Sequence, residues 1–217
     1  MASLSKQPFV PETVAVNYNA IANLTPADGE NDMDNVEVIE MGVGWDKSTG
    51  GSGGLLGWVN RKVGSDLDGV AVAYVNGRPI KYLGWDELDC FAPEAPGAAV
   101  HSGDNQTGEG DGDDETIRLE LARIPQRFDK LVLVATAFKP GSSMKRAKNI
   151  TVTLYDSTGG TKTPVGWIEP SLLNPKNTLG VAVLTRKGNS WTLRVLESSF
   201  DVKQGDRDDF LRKVAGL

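Results

Sequence analysis

The sequence holds little of the chemistry that most enzymes use. Across 217 residues there is one cysteine, Cys90, and one histidine, His101. A single cysteine excludes a disulfide framework, a CxxC redox pair and a zinc–thiolate cluster within the chain. A single histidine means that any Ser–His–Asp, Cys–His or two-histidine metal arrangement must use His101 or fail. Without a partner histidine or a nucleophile, His101 reads as a loop residue that orients its neighbours, and Cys90 as an apolar residue beside Trp85 and Phe91. No enzyme is expected. Apolar runs are short, and none approaches the roughly 18 residues of a membrane span. The opening MASLSKQPFV lacks the apolar core of a secretory signal. The expected location is therefore cytoplasmic, or inside a particle assembled in the cytoplasm. Basic charge is also in short supply, with 23 Lys and Arg against 29 Asp and Glu and a net charge of −6. Nucleic acid and polybasic membrane contacts both need a basic footprint. Neither is expected as a main partner, although peripheral association with a membrane stays open.

Turn chemistry, by contrast, is plentiful. The chain has 25 glycines and 11 prolines with no collagen period, which points to many short strands. VEVIEMGVGW (36–45) alternates apolar and polar residues as a strand does. LDGVAVAYVNGRPI (67–80) is a strand leading into a hairpin turn at Asn76-Gly77. In ETIRLELARI the residues Ile117, Leu119 and Leu121 point one way, and Arg118 and Glu120 the other. KLVLVATAF (130–138) is almost continuously apolar and suits a central strand covered on both faces. NITVTLYD, TPVGWIEP and TLGVAVLTRKGNSWTLRVLES supply further strands, and the last of these is a hairpin about Lys187-Gly188-Asn189. Only DRDDFLRKVAG (206–216) looks helical, with acids early and bases late as the helix dipole favours. The pattern predicts an all-β protein, a sandwich or barrel with one short C-terminal helix. Residues 1–35 read as an extended N-terminal arm and 36–217 as the domain. A Gly/Ser-rich insertion occupies 47–64, and its apolar tip, Leu55, Leu56 and Trp58, either folds back or docks on a protein partner or a second copy.

The most concentrated feature is HSGDNQTGEGDGDDE, residues 101–115. It holds the acids Asp104, Glu109, Asp111, Asp113, Asp114 and Glu115, with glycines between several of them and no basic residue. Glycines let a backbone bend until several oxygens converge, and calcium takes six to eight oxygens from carboxylates and backbone carbonyls. Magnesium fits less well because it keeps more water, and zinc lacks its usual ligands. The EF-hand template fails: counted from Asp104, the sixth position is Glu109 where glycine is required. A dinucleotide loop fails as well, because the acids would repel a pyrophosphate. SDLDG (65–69) places Asp66 and Asp68 two apart and so on one face of a strand. From spacing alone, a calcium site and a solvated acidic loop both remain open.

The ordered string narrows that choice. GWD followed by DLD, then VHSGDNQTGEGDGDDE and IRLELARIP downstream, resembles the TerD family of tellurium-resistance and stress proteins. The opening SLSK and the strand at Asn149 also fit, so the resemblance spans most of the chain. It implies a two-sheet β-sandwich of the TerD type that binds Ca2+ through acidic loops, without catalysis. The implied roles are tellurite and chemical stress or phage resistance. Carried over position by position, the motif implicates Asp66, Asp68, Asp104, Asn105, Asp111, Asp113, Asp114 and Glu115. The chain departs from the family pattern at Lys139, where an acid is expected, in the 47–64 insertion, in the long arm and at the C-terminal end. Those departures motivate an alternative from a different class: a phage virion component, in capsid or tail, that reuses the fold.

Overall fold

The computed structural model describes residues 30–46, 66–106, 108, 112–168 and 176–217. These form two antiparallel sheets packed on one another. The six-stranded sheet runs in the order β1 (Asn31–Asp32), β11 (Ser190–Phe200), β10 (Thr178–Lys187), β7 (Lys130–Thr136), β3 (Asp68–Val75) and β4 (Arg78–Leu83). The five-stranded sheet runs β5 (Ala99–His101), β6 (Glu115–Glu120), β2 (Val38–Asp46), β8 (Lys148–Asp156) and β9 (Thr163–Ile168). One helix, α1 (Arg207–Val214), follows near the C-terminus. The expected all-β sandwich with a short C-terminal helix is what the chain forms.

Alternation decides which face each residue takes. On β6, Ile117 and Leu119 are buried between the sheets while Thr116, Arg118 and Glu120 lie on the outer face. β7 is different, because both of its faces are covered. Leu131, Leu133 and Ala135 enter the core between the sheets. Val132 and Val134 enter a second core with Phe138, Val202, Phe210 and Val214, the last two from α1. This two-sided burial explains the unbroken apolar run in KLVLVATAF. α1 is stopped at its start by Asp206, whose carboxylate accepts from Asp209 N at 3.0 Å. Its Phe210 ring meets Tyr82 and Phe138 edge-on, at 6.3 and 5.7 Å between centroids. Replacing Phe210 with alanine is expected to cost about 3–5 kcal/mol of stability, read by urea denaturation, because it removes the ring that α1 packs against Tyr82 and Phe138 and leaves a cavity there.

The turn at Asn76-Gly77 has positive φ at both residues, 51° and 74°, as a two-residue hairpin of this type needs. Residues 1–29 of the expected arm and the 47–64 insertion lie outside the described residues. Among the described residues before 36, Asn31 and Asp32 pair with Leu193 and Thr192 at the edge of the six-stranded sheet, and Met33 is buried. Among the described residues no helix is long and apolar enough to cross a membrane, which says nothing of strand-built spans.

One end of the sandwich gathers the acidic segments. Val43 near the end of β2 pairs with Glu115 at the start of β6. Asp68 at the start of β3 pairs with Thr136 at the end of β7. Glu115 then ties the two sheets together by accepting from Gly69 N at 3.0 Å.

Candidate metal centre

Asp66 lies just before β3 and Asp68 is its first residue, so the strand period puts both side chains on the same side. The loop joining β5 to β6 brings Asp104 to them. One carboxylate oxygen from each of Asp66, Asp68 and Asp104 lies within 4.8 Å of the others. Asp66 and Asp68 are buried, at 5% and 3% exposure, while Asp104 faces solvent. Asp66 Oδ1 and Asp68 Oδ2 are buried with no hydrogen-bond partner. An orphaned buried acceptor costs about 1–3 kcal/mol, and more when charged, and nearby carboxylates repel one another. A cation removes both costs at once. The donors are all oxygen, which suits a hard ion such as calcium or magnesium and not zinc.

The electrostatics follow from this crowding. Burial, reinforced by the charges of Glu115, Asp66 and Asp104, pushes the Asp68 carboxyl up to about 8. Burial also raises Asp66, while the Lys139 ammonium, with Nζ 3.1 Å from Asp66 Oδ2, pulls it part of the way back.

The remaining acids frame the loop. Glu115 is fully buried; its Oε2 accepts from Gly69 N and its Oε1 from Asn105 N at 3.1 Å. His101 Nδ1 accepts from Gly103 N at 3.0 Å, so the ring proton sits on Nε2. That nitrogen stands 3.3 Å from Glu115 Oε2, without the alignment of a full hydrogen bond. Asp114 accepts from Trp45 N at 2.9 Å and from Asn105 Nδ2 at 3.1 Å, and Asn105 Oδ1 accepts from Gly108 N at 3.2 Å. Tyr155, a phenol pushed up to about 12 chiefly by burial, donates to Asp113 Oδ1 at 3.2 Å. Glycines on the outer face of β2 make room for this loop. A Cβ at Gly42 would overlap the Asp113 carboxyl, and one at Gly44 would lie 2.6 Å from Gly112 O.

The structure thus divides the eight residues implicated by the sequence. Asp66, Asp68 and Asp104 converge with open oxygens. Glu115 sits behind Asp68 with both oxygens engaged by backbone N–H groups. Asn105, Asp113 and Asp114 hold the loop to β2 and β8. Asp111 lies outside the described residues, as do Leu55, Leu56 and Trp58. Sequence reasoning missed Gly42, Gly44 and Tyr155; the one available signal was glycine at alternate positions of a strand in EMGVGWD, a mark of close backbone approach.

An antiparallel two-sheet sandwich that clusters carboxylates at one end through a glycine-rich β5–β6 loop defines the class. Comparison with known proteins narrows it: the TerD domain matches residues 28–203, and the chain belongs to the TerD family. It is 38% identical over 124 residues to the tellurium resistance protein TerZ of Serratia marcescens, covering 56% of this chain and 60% of that protein. It is 34% identical over 108 residues to the stress response protein SCP2 of Bacillus subtilis, covering 46% of this chain and 50% of that one. The chain thus spans about half of the length of these curated relatives. A crystal structure of a homologue of the telluride resistance protein TerD from Streptomyces coelicolor A3(2) superposes with a TM-score of 0.61 at 18% identity. It covers 78% of this chain and 93% of that one, and shares the fold.

Proposed function

We propose that the protein is a non-enzymatic calcium-binding member of its family that acts in the cytoplasm in resistance to tellurite or chemical stress. One observation carries the metal reading: Asp66 and Asp68 bury carboxylate oxygens that nothing else in the described structure satisfies. Calcium is favoured over magnesium because burial leaves little room for the waters that magnesium keeps. The names of the relatives carry the stress reading. Catalysis is opposed by the chemistry at hand. His101 is buried and closed on Gly103 and Glu115. The Cys90 thiol is buried and pushed up to about 12 by that burial, so it supplies neither a thiolate nor a dithiol for reducing tellurite. The virion alternative rests on the arm and the insertion tip, which fall largely outside the described residues, and no described feature favours it.

The test is survival of tellurite-sensitive bacteria expressing the chain. Wild type is expected to raise the tolerated tellurite concentration. The Asp66→Asn/Asp68→Asn double variant, at equal soluble level, is expected not to. Equal protection by both would sink the link between the cluster and the function.

A further inference from the structure

We propose that Lys139 is a built-in counter-ion of the carboxylate cluster: its ammonium offsets Asp66 and so holds down the affinity of the site for a divalent cation. The inference rests on the cation reading above.

Lys139 reaches a buried acid from the solvent side. Its side chain is 52% exposed while that of Asp66 is 7% exposed, with 3.1 Å between Nζ and Oδ2. The backbone around it is tied down. The Lys139 carbonyl accepts from Ser142 N at 2.9 Å, and the Ser142 hydroxyl accepts from Asp66 N at 3.4 Å. One residue earlier, Phe138 O accepts from Gly205 N, and the Phe138 ring packs against Trp85 at 5.3 Å and Phe210 at 5.7 Å. The lysine is thereby anchored beside the segment that leads into β3 and carries Asp66.

The lysine leaves one Asp66 oxygen open to an ion. Lys139 takes Asp66 Oδ2, whereas Asp66 Oδ1 and Asp68 Oδ2 are the buried atoms with no partner. The two therefore meet through charge rather than through competition for one atom. Lys139 feels Asp66, Asp104 and Asp68 together. Once Asp68 has given up its proton, three carboxylates less one ammonium leave a charge that a divalent ion neutralises, and removing the lysine deepens the field that any incoming cation meets. A charge effect scales with the charge of the ion, whereas a packing effect does not.

The experiment is titration calorimetry on the full chain with Ca2+ and with Tb3+, comparing wild type, Lys139→Met, Lys139→Gln and Lys139→Arg. Both neutral variants are expected to bind Ca2+ about tenfold more tightly than wild type and to gain a larger factor for Tb3+. Lys139→Arg keeps the charge and is expected to bind like wild type. If both neutral variants bind Ca2+ no more tightly than a wild type that does bind it, the role of Lys139 is overturned and the cation site stands. If no form binds either ion, the cation reading falls and this inference falls with it.

Discussion

Asp68→Asn is expected to raise the melting temperature of the ion-free protein at pH 9 while abolishing its response to calcium. Neutralising an acid in the proposed site is expected to stabilise the unliganded fold, because the site holds buried like charges. In the unfolded chain Asp68 ionises near the ordinary carboxylate value of 3.8, whereas in the folded chain burial and its acidic neighbours hold it up to about 8. Below about pH 4 the carboxyl is neutral in both states and costs the fold nothing. As pH climbs towards 8 the unfolded state gains an ionisation that the folded state resists, so this group lowers stability progressively across that window. Asparagine keeps the shape and removes the charge. Relief of about 1–3 kcal/mol is expected at pH 9, and each kcal/mol is worth about 2–4 °C in a chain of this size. At pH 4 or below the variant and wild type should melt together. The same linkage predicts that calcium expels protons on binding near neutral pH and binds more tightly as pH rises from 6 to 8. Melting curves at pH 4, 7 and 9, in chelator and in calcium, check both halves. A drop in the ion-free melting temperature of the variant at pH 9 would contradict the account.

Glu115→Ala should produce the largest loss of stability at this end of the molecule, about 2–5 kcal/mol by urea denaturation, from the two donors it orphans. Its carboxylate is the shared acceptor for Gly69 N in the opposite sheet and Asn105 N in the loop, and it faces His101 Nε2. Alanine would remove the acceptor of Gly69 N and Asn105 N and open a void between the sheets. Glu115→Gln is expected to fall between wild type and alanine, because one acceptor oxygen survives while the amide turns a donor towards another donor. Asp104→Asn, at an exposed position, should leave the stability of the ion-free protein close to wild type. A loss below about 1 kcal/mol for Glu115→Ala would show that the residue does not join the sheets.

Much of the fold was legible because burial imposes a period on the sequence. Alternation located β2, β6 and β8, positive-φ turn chemistry located the β3–β4 hairpin, and the unbroken run of β7 announced cover on both faces. β1 and β5 escaped because strands of two and three residues are too short to show a period. The pairing of Asp66 with Asp68 could be read from their spacing alone. Their meeting with Asp104 could not, since it depends on how the β5–β6 loop of one sheet reaches over the start of a strand in the other. Nor could the sequence separate open carboxylates from engaged ones. Asp113, Asp114 and Glu115 look as ligand-like as Asp104, but Tyr155, Trp45 and Gly69 claim their oxygens from distant segments, and Asn105 does so from within the loop.

Asp66, Asp68 and Asp104 are proposed here as a calcium site. Titration calorimetry of chelator-treated protein with calcium tests it most directly, run beside Asp66→Asn/Asp68→Asn. Wild type is expected to bind saturably, and the double variant to lose that binding while remaining folded. Binding that survives in the double variant, or a wild type that takes up no calcium at millimolar concentration, would contradict it.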